Sequence, residues 1–389
     1  MFILGMDIGY SNLKIAFGED SMERPETKIL PAGAAPEEFL PFSFMNRKSD
    51  GFFVTVKNEL FVAGIEPSLL EGWNRELHGD YPFTPTYRAL FYTSLLLTGK
   101  KEIDLLVTGL PVNQFLDSSY RQKLMNSLKG VHRITRSGRE VKVKNVAVIA
   151  QPMGSYLSAY LEKEKDKSLV EATTLVFDVG FFSVDWVVID NQNVVKSSSG
   201  TSIFATSWLL EKVADLISHD YGSCPGLEKL ESALRKDEGK IYVFSEKVNI
   251  YPYLQKVIKK YGANIAAELK RALRFQRFDT ISNVVITGGG SEFYREVIEK
   301  ITPRSRLIFV DDPVTANARG FWYYGLILKE ELERSEKLKE KSENIGNAGD
   351  VEKGPGEETE AERDKEAGEA EEKAEKREEA GEMVSGYKV

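Results

Sequence analysis

Two stretches of the chain share one pattern of alternating aliphatic and polar positions, interrupted by a short turn that contains glycine. In residues 3–18 the turn is Gly9–Asn12, and in residues 173–189 it is residues 179–183. Alternation with a period of two predicts β-strands, because successive strand side chains point to opposite faces. Two strands joined by so short a turn predict a β-hairpin. Two such hairpins, about half the chain apart, indicate an internal duplication.

The rest of the first 330 residues alternates short apolar runs with amphipathic stretches. Further strands are predicted at residues 52–56, 60–64, 103–108, 131–135, 141–149, 283–287 and 307–310. Helices are predicted at residues 84–98, 113–128, 155–164, 203–218, 252–275, 291–301 and 313–330, with Thr84 and Ser202 as N-terminal caps. Such alternation predicts the α/β class, with a mixed sheet covered by helices.

The net charge of −8 is concentrated at the C-terminal end. Residues 329–389 hold 21 of the 60 acidic residues and 12 of the 52 basic ones. The first 328 residues are therefore close to neutral, and they carry no basic stripe that would indicate direct nucleic-acid binding. Residues 346–381 are low in complexity and too polar to bury a core, which favours a disordered, solvating tail over a partner-binding one.

Cysteine and histidine are too scarce for a disulfide or a zinc site. The chain has one cysteine, Cys224, and three histidines, so we expect any metal to be held by carboxylates and phosphate oxygens. No apolar run is long enough to cross a bilayer, and the chain opens on an apolar strand without a basic leader region. We therefore expect a cytoplasmic protein without membrane contact.

The first hairpin carries groups suited to a phosphorylated ligand. Asp7 and Lys14 flank the turn Gly9–Asn12, whose Gly, Ser and Asn residues offer backbone N–H groups. A carboxylate, an ammonium and a turn rich in N–H donors are what a nucleotide triphosphate with hydrated magnesium needs. The second hairpin repeats the Asp-x-Gly motif at Asp178–Gly180. Two facing hairpins would hold one nucleotide between two halves of the chain.

Two further motifs lie where strands are followed by helices. Gln151 stands at such a junction, where its amide either reaches into a cleft or caps the helix. Gly288–Gly290 forms another, and three glycines let the backbone pass close to a flat ligand or a phosphate, unless they only make a flexible turn.

The five motifs in chain order are Asp7-Ile8-Gly9 to Lys14, Gln151-Pro152-Met153-Gly154, Asp178-Val179-Gly180 to Asp185, Gly288-Gly289-Gly290, and Asn317-Ala318-Arg319-Gly320. Their order and spacing resemble the nucleotide-site motifs of the actin, chaperone ATPase and sugar-kinase superfamily. The chain is most similar to actin-like ATPases of the ParM/StbA plasmid-segregation type, including the PRTRC protein D group. The resemblance implies the actin-like ATPase fold, in which two duplicated ribonuclease-H-like domains flank a nucleotide cleft.

The resemblance also implies the domain limits. Domain I would span residues 1–154, with helix 313–330 returning to it, and domain II would span residues 155–312. Residues 331–389 would form a charged helical extension and a disordered tail.

Residue roles can be carried over from the resemblance one position at a time. Asp7 and Asp178 would hold Mg²⁺ through water, and Lys14 would neutralise phosphate charge. The catalytic residues implied are Gln151, which would orient the attacking water, Asp178 and Asp185. The nucleotide-binding residues implied are Asp7, Gly9, Tyr10, Ser11, Asn12, Lys14, Gly180, Ser183, Gly288, Gly289 and Gly290. The cofactor implied is Mg²⁺ with ATP, and GTP stays open.

One loop departs from the superfamily pattern. The second phosphate loop commonly carries further glycines and a threonine, whereas Phe181 and Phe182 follow Gly180 here and Ser183 takes the hydroxyl position.

The resemblance implies a filament-forming ATPase or GTPase whose copies assemble head to tail. Its partners would be further copies of itself and an adaptor protein bound to a centromere-like DNA site, so that filaments segregate plasmid DNA. One alternative is a chaperone-like or reactivating ATPase, although the tail is too charged and repetitive for a client-binding β-sandwich. The other is a small-molecule kinase, for which no insertion supplies an acceptor pocket with a catalytic carboxylate.

Overall fold

The computed structural model describes most of the first 329 residues. The described ranges are 1–41, 51–72, 75–76, 78–162, 166–191, 193–236, 238–273, 280–329 and residue 333. Residues Met1–Ile327 form one compact unit. Apart from Glu333, the predicted tail over residues 331–389 lies outside the described residues.

The first half of the chain contains a six-stranded sheet and a separate three-stranded sheet. Its strands are β1 (Phe2–Ile8), β2 (Asn12–Glu19), β3 (Glu26–Pro31), β4 (Gly33–Pro36), β5 (Phe52–Val56), β6 (Glu59–Ile65), β7 (Glu102–Leu110), β8 (Gly130–Arg133) and β9 (Glu140–Ala150). The six-stranded sheet has the order β3-β2-β1-β7-β9-β8, and the three-stranded sheet has the order β4-β6-β5. Its helices are α1 (Pro85–Thr98), α2 (Val112–Phe115) and α3 (Ser118–Leu128). Thr84 caps α1 as predicted, its side chain accepting a hydrogen bond from Tyr87 N.

The second half begins after helix α4 (Gln151–Glu162), which leads to it. Its strands are β10 (Thr174–Val179), β11 (Val184–Asp190), β12 (Asn193–Val194), β13 (Gly200–Ser202), β14 (Lys240–Val243), β15 (Glu246–Asn249), β16 (Asn283–Thr287) and β17 (Arg306–Phe309). Its helices are α5 (Ser168–Glu171), α6 (Thr206–Tyr221), α7 (Leu227–Arg235), α8 (Tyr251–Ala272) and α9 (Ser291–Ile301), and helix α10 (316–329) follows.

The two main sheets have the same topology. The first runs β3-β2-β1-β7-β9 and the second β12-β11-β10-β16-β17, so corresponding strands take corresponding places. In both, a three-stranded antiparallel meander is followed by two strands parallel to its first strand. Strand β8 adds to the edge of the first sheet, and β13 pairs with β11 in the second. The predicted duplication and α/β class are confirmed.

Several predicted helices differ from the structure in their extent; α4, for example, begins at Gln151 rather than at residue 155. The single helix predicted over 113–128 is wrong, because Asp117 breaks it and caps α3 by accepting from the N–H groups of Ser119 and Tyr120. Ser202 is not a helix cap, since it lies in β13 and α6 starts only at Thr206. Helix α10 begins at residue 316 rather than 313.

Helices α4 and α10 connect the two halves and cross at two glycines. A Cβ atom on Gly320 would lie only 1.7 Å from the carbonyl oxygen of Gly154, so the backbones touch where a side chain has no room. Helix α4 packs against the second sheet, and α10 packs Trp322 against Ile3 of the first. The site lies where these helices meet both sheets. The predicted domain boundary at residue 154 falls within α4 and stays a prediction.

Candidate functional site

Each hairpin turn is closed by one backbone hydrogen bond. Gly9 N donates to Asn12 O at 3.0 Å in the first turn, and Gly180 N donates to Ser183 O at 2.9 Å in the second. Both turns therefore span the same number of residues, and side chains on either side of them occupy matching positions in the two halves.

The strand register places a second charged residue opposite each hairpin aspartate. Asp7 pairs with Lys14 across β1 and β2, and Asp178 pairs with Asp185 across β10 and β11. Directly opposed strand residues have neighbouring side chains. The duplicated backbone thus carries an acid and a base in one half and two acids in the other.

The first aspartate is held by two donors. Asp7 is buried, with Lys14 Nζ 2.8 Å from its Oδ2 atom. Gln151, the first residue of α4, donates from Nε2 to Asp7 Oδ1 at 3.2 Å. The side chain of Gln151 therefore points towards the strand that carries Asp7, which is the cleft orientation rather than the capping one.

The two acids of the second hairpin have neutral donors. Asn317 of α10 donates from Nδ2 to Asp178 Oδ2 at 2.6 Å. Asp185 accepts from the hydroxyl groups of Ser183 and Thr201, each at 2.6 Å. Hydrogen bonds from amides and hydroxyls stabilise these carboxylates without cancelling their charge.

Burial shifts the titration of this acidic pair. Loss of water contact raises the pKa of the Asp178 carboxyl to about 7, against the lowering effect of its Asn317 hydrogen bond. The nearby Asp185 and Asp7 carboxylates add to the increase. Burial also raises the pKa of Asp185, although its hydroxyl donors oppose the shift. Acids from both halves are thus close enough to interact, and a bound cation would favour their charged forms.

One cleft of about 620 Å³ collects the residues that the sequence singled out. The residues of that set that line it are Asp7, Gly9, Tyr10, Ser11, Asn12, Lys14, Gln151, Asp178, Gly180, Ser183, Asp185, Gly288, Gly289 and Gly290. Phe181 and Phe182 also line the cleft, and Phe182 contacts Tyr10 of the other turn with ring centroids 5.4 Å apart. The structure therefore brings the whole predicted set together, while the role of each residue stays a proposal.

The glycine turn after β16 is shaped by close backbone contact. Gly288 has a φ of +86°, and a Cβ atom there would lie 2.3 Å from Val179 O and 2.5 Å from Asp178 Oδ1. A Cβ atom on Gly290 would lie 2.2 Å from Thr206 Oγ1. Only glycine fits against the second hairpin at these positions.

Three functional candidates were missed at the level of sequence. Asn317 stood within a motif but received no role, and its contact with Asp178 spans 139 residues. Glu231 and Arg235 of α7 line the cleft, although none of the five sequence motifs includes them. Their i, i+4 spacing was visible, yet such pairs usually lie on solvated helix faces.

The donor set fits a magnesium ion held mainly by water and phosphate. Mg²⁺ binds oxygen ligands and commonly takes only one or two carboxylates from the protein. Among the described residues, no cluster of three or more acidic, histidine or cysteine side chains is arranged to hold a metal. Asp7 and Asp178 supply two carboxylates to one cleft. Because both oxygens of Asp7 already accept hydrogen bonds, contact through water suits it best.

The duplicated sheets and the shared cleft define the class of actin-like folds. Residues 5–154 match the N-terminal domain of actin-like proteins, and residues 176–300 match the C-terminal domain of the archaeal MreB-like actin homologues. The chain belongs to the actin-like proteins. Among curated proteins, none matches the chain.

Solved structures share the fold at low sequence identity. Ta0583, an archaeal actin homologue, is 16% identical with a TM-score of 0.67, and the match covers 84% of this chain and 99% of that one. Its complex with ADP gives 19% identity, a TM-score of 0.66 and the same coverage. A 15-stranded ParM filament from Clostridium botulinum gives 21% identity and a TM-score of 0.63, covering 83% of this chain and 98% of that one. In the part of the chain that the structure describes, no helix is both long and apolar enough to span a membrane.

Proposed function

We propose that this protein is a filament-forming ATPase that binds a nucleotide triphosphate with Mg²⁺ in the cleft between its two halves. The observation that carries the proposal is that Asp7 and Asp178, on duplicated hairpins of opposite halves, face one cleft with both hairpin turns. The ADP complex of the similar archaeal actin homologue supports a nucleotide as the ligand. GTP, which carries guanine in place of adenine, is the alternative nucleotide.

The two hairpins would contribute different groups to nucleotide binding. Asp7 and Asp178 would hold Mg²⁺ through water, and the bound ion would neutralise negative charge on the phosphates. Lys14 places an ammonium at the first turn, where phosphate charge needs a counter-charge. The backbone N–H groups of both turns and of Gly288–Gly290 offer further donors.

Hydrolysis depends on positioning a water molecule, because phosphoryl transfer relies mostly on orientation and charge stabilisation. Gln151 points at Asp7 and supplies an amide for orienting that water. Asp185 is fixed by two hydroxyl donors and offers a second polar group beside Asp178. The products would be nucleotide diphosphate and inorganic phosphate released to water.

Nucleotide state would control assembly into filaments. Head-to-tail contact between copies joins two different surfaces and does not have to close, so it produces a filament. Closure of the cleft on its ligand would change the conformation of the chain, and the contacts between copies in a filament would depend on that conformation. Similar structures include a ParM filament. We propose that the filaments segregate plasmid DNA through an adaptor protein bound at a centromere-like DNA site.

The test combines assembly with product analysis. Light scattering, sedimentation and electron microscopy with Mg²⁺ and ATP or GTP are expected to show nucleotide-dependent filaments, with phosphate released to water. A chain that hydrolyses nucleotide yet stays monomeric at high concentration would remove the filament claim. Phosphate transfer to a small-molecule acceptor would favour the kinase alternative.

A further inference from the structure

Helix α7 of the second half is tied to the first half by a network of four charged side chains. We name this network the clasp and define it as Glu66, Arg75, Glu231 and Arg235. Arg235 contacts Glu66, across 169 residues of sequence, and also Glu231 one helical turn earlier. Arg75 donates from Nη2 to Glu231 Oε2 at 2.7 Å. Each glutamate and each arginine therefore has an oppositely charged partner.

The clasp reaches the turn of the first hairpin directly. Arg235 Nε donates to Asn12 Oδ1 at 2.9 Å, and Arg235 Nη2 lies 3.2 Å from both the carbonyl oxygen and the hydroxyl of Ser11. A residue of the second half thus holds the turn that is proposed to contact phosphate. Arg235 lines the cleft together with this turn.

The clasp also reaches the turn of the second hairpin. The guanidinium of Arg75, from the first half, lies 5.4 Å from the ring centroids of Phe181 and of Phe182. A cation–π interaction is favourable when the cation lies within about 6 Å of the ring centroid. The two aromatic residues that replace the usual small ones in this turn therefore give it a contact across the cleft.

Because the clasp is largely buried, separating its ion pairs costs free energy. The side chains of Arg75 and Glu231 are 6% and 4% exposed, and those of Arg235 and Glu66 are 16% and 17% exposed. Removing one partner of a buried ion pair leaves the other charge unpaired and poorly hydrated. Any motion that moves α7 away from the first hairpin turn must break these contacts together.

We propose that the clasp is a gate on nucleotide exchange, holding the two halves closed over the cleft until its ion pairs separate. The inference rests on the proposed function, because it takes the cleft as the nucleotide site. Glu66 and Arg75 do not belong to the lining of the cleft, whereas Glu231 and Arg235 do. A change at Glu66 or Arg75 therefore acts on the gate without removing a direct ligand contact.

The test measures exchange rates of a fluorescent ATP analogue in the full chain, by stopped-flow mixing and chase with unlabelled ATP. Glu66→Gln and Arg75→Lys are expected to raise both association and dissociation rates at least about fivefold. Loss of a ligand contact would change dissociation alone. The matched control is Glu102→Gln, which removes one charge from an ion pair with Lys144 inside the first half.

Rates within twofold of wild type in both clasp variants, or an equal rise in the control, would overturn the gate and leave the proposed function intact. A wild-type chain that binds neither ATP nor GTP would overturn the proposed function, and the gate with it. Thermal unfolding of each variant distinguishes opening of the gate from a general loss of stability. A general loss of stability would lower the midpoint temperature of unfolding in proportion to the rate increase.

Discussion

The two hairpins share a backbone and differ in charge. Both place an aspartate two residues before the glycine of a turn that one hydrogen bond closes. Opposite that aspartate the first hairpin has Lys14, whereas the second has Asp185. The first hairpin thus brings a cation beside its acid, and the second brings a second acid beside its own.

This difference teaches that duplication of a fold need not duplicate chemistry. A hairpin that presents an ammonium suits phosphate oxygens, while one that presents two carboxylates suits a metal ion and a water molecule. The second hairpin is correspondingly the one with the strongly shifted pKa, at Asp178. We expect substitutions at matching positions to have different, and in one case opposite, effects.

The largest effect is expected from Asp178→Ala on hydrolysis. Under the proposed function this change removes a carboxylate that would hold Mg²⁺ beside the reacting phosphate, and we expect phosphate release to fall about 100-fold or more. The measurement is phosphate release with Mg²⁺ and ATP. Asp215→Ala changes an exposed aspartate of α6 and serves as the control. Unchanged hydrolysis in Asp178→Ala would contradict the proposed asymmetry.

The second effect is on the pH dependence of stability. Because the folded-state pKa of Asp178 is raised to about 7, the folded protein binds this proton more tightly than the unfolded chain. Stability from this group is therefore complete below pH 4 and is lost as the pH rises to about 7, by roughly 2–4 kcal/mol. Urea unfolding without nucleotide or magnesium, from pH 4 to 8, checks this. Asp178→Asn should flatten that part of the profile, and a profile that stays parallel to wild type would refute it.

The third comparison substitutes the two residues opposite the aspartates. Lys14→Met leaves buried Asp7 without its cation, and we expect a loss of about 1–3 kcal/mol in the free energy of unfolding. Asp185→Asn keeps an oxygen acceptor for Ser183 or Thr201 and removes repulsion from Asp178, so stability should stay equal or rise. Chemical unfolding at pH 8 measures both. Equal destabilisation by the two changes would show that the hairpins do not differ as described.

The smallest effect concerns the glycines of the two turns. A Cβ atom on Gly9 would lie 3.3 Å from Lys14 Nζ, a flexible group that can move aside, so Gly9→Ala should be nearly neutral. On Gly180 it would lie 2.9 Å from the backbone oxygen of Ser183, and Gly180→Ala should cost about 1 kcal/mol more. Thermal unfolding compares the pair, and a larger loss in Gly9→Ala would reverse the expected order.

Local pattern was sufficient to predict both hairpins and most strands. The period-two alternation on either side of Gly9–Asn12 predicts β1 and β2, which pair as an antiparallel hairpin. It does not predict that every residue of β1 is buried. The Thr84-Pro85 pair likewise predicts the start of α1. Asp117, in contrast, could either continue a helix or cap a new one, and only the structure shows the second.

The cross-cleft contacts were beyond what sequence can show. The contacts of Arg235 with the first hairpin turn join residues more than 220 positions apart. Hydrophobic periodicity in the sequence cannot predict such a contact, because the contact depends on how the two halves pack together. Asn317 could be placed on a helix from sequence, but not beside Asp178. The cleft-lining set was predictable as motifs, while the partners that orient those residues were not.

Titration calorimetry of Mg²⁺-ATP tests most directly whether both hairpins serve one nucleotide. We expect wild type to bind one nucleotide per chain with an affinity that depends on magnesium, and Asp7→Ala and Asp178→Ala each to abolish that dependence. Two binding sites per chain, or a variant that keeps its magnesium dependence in full, would contradict a single site shared by the two halves.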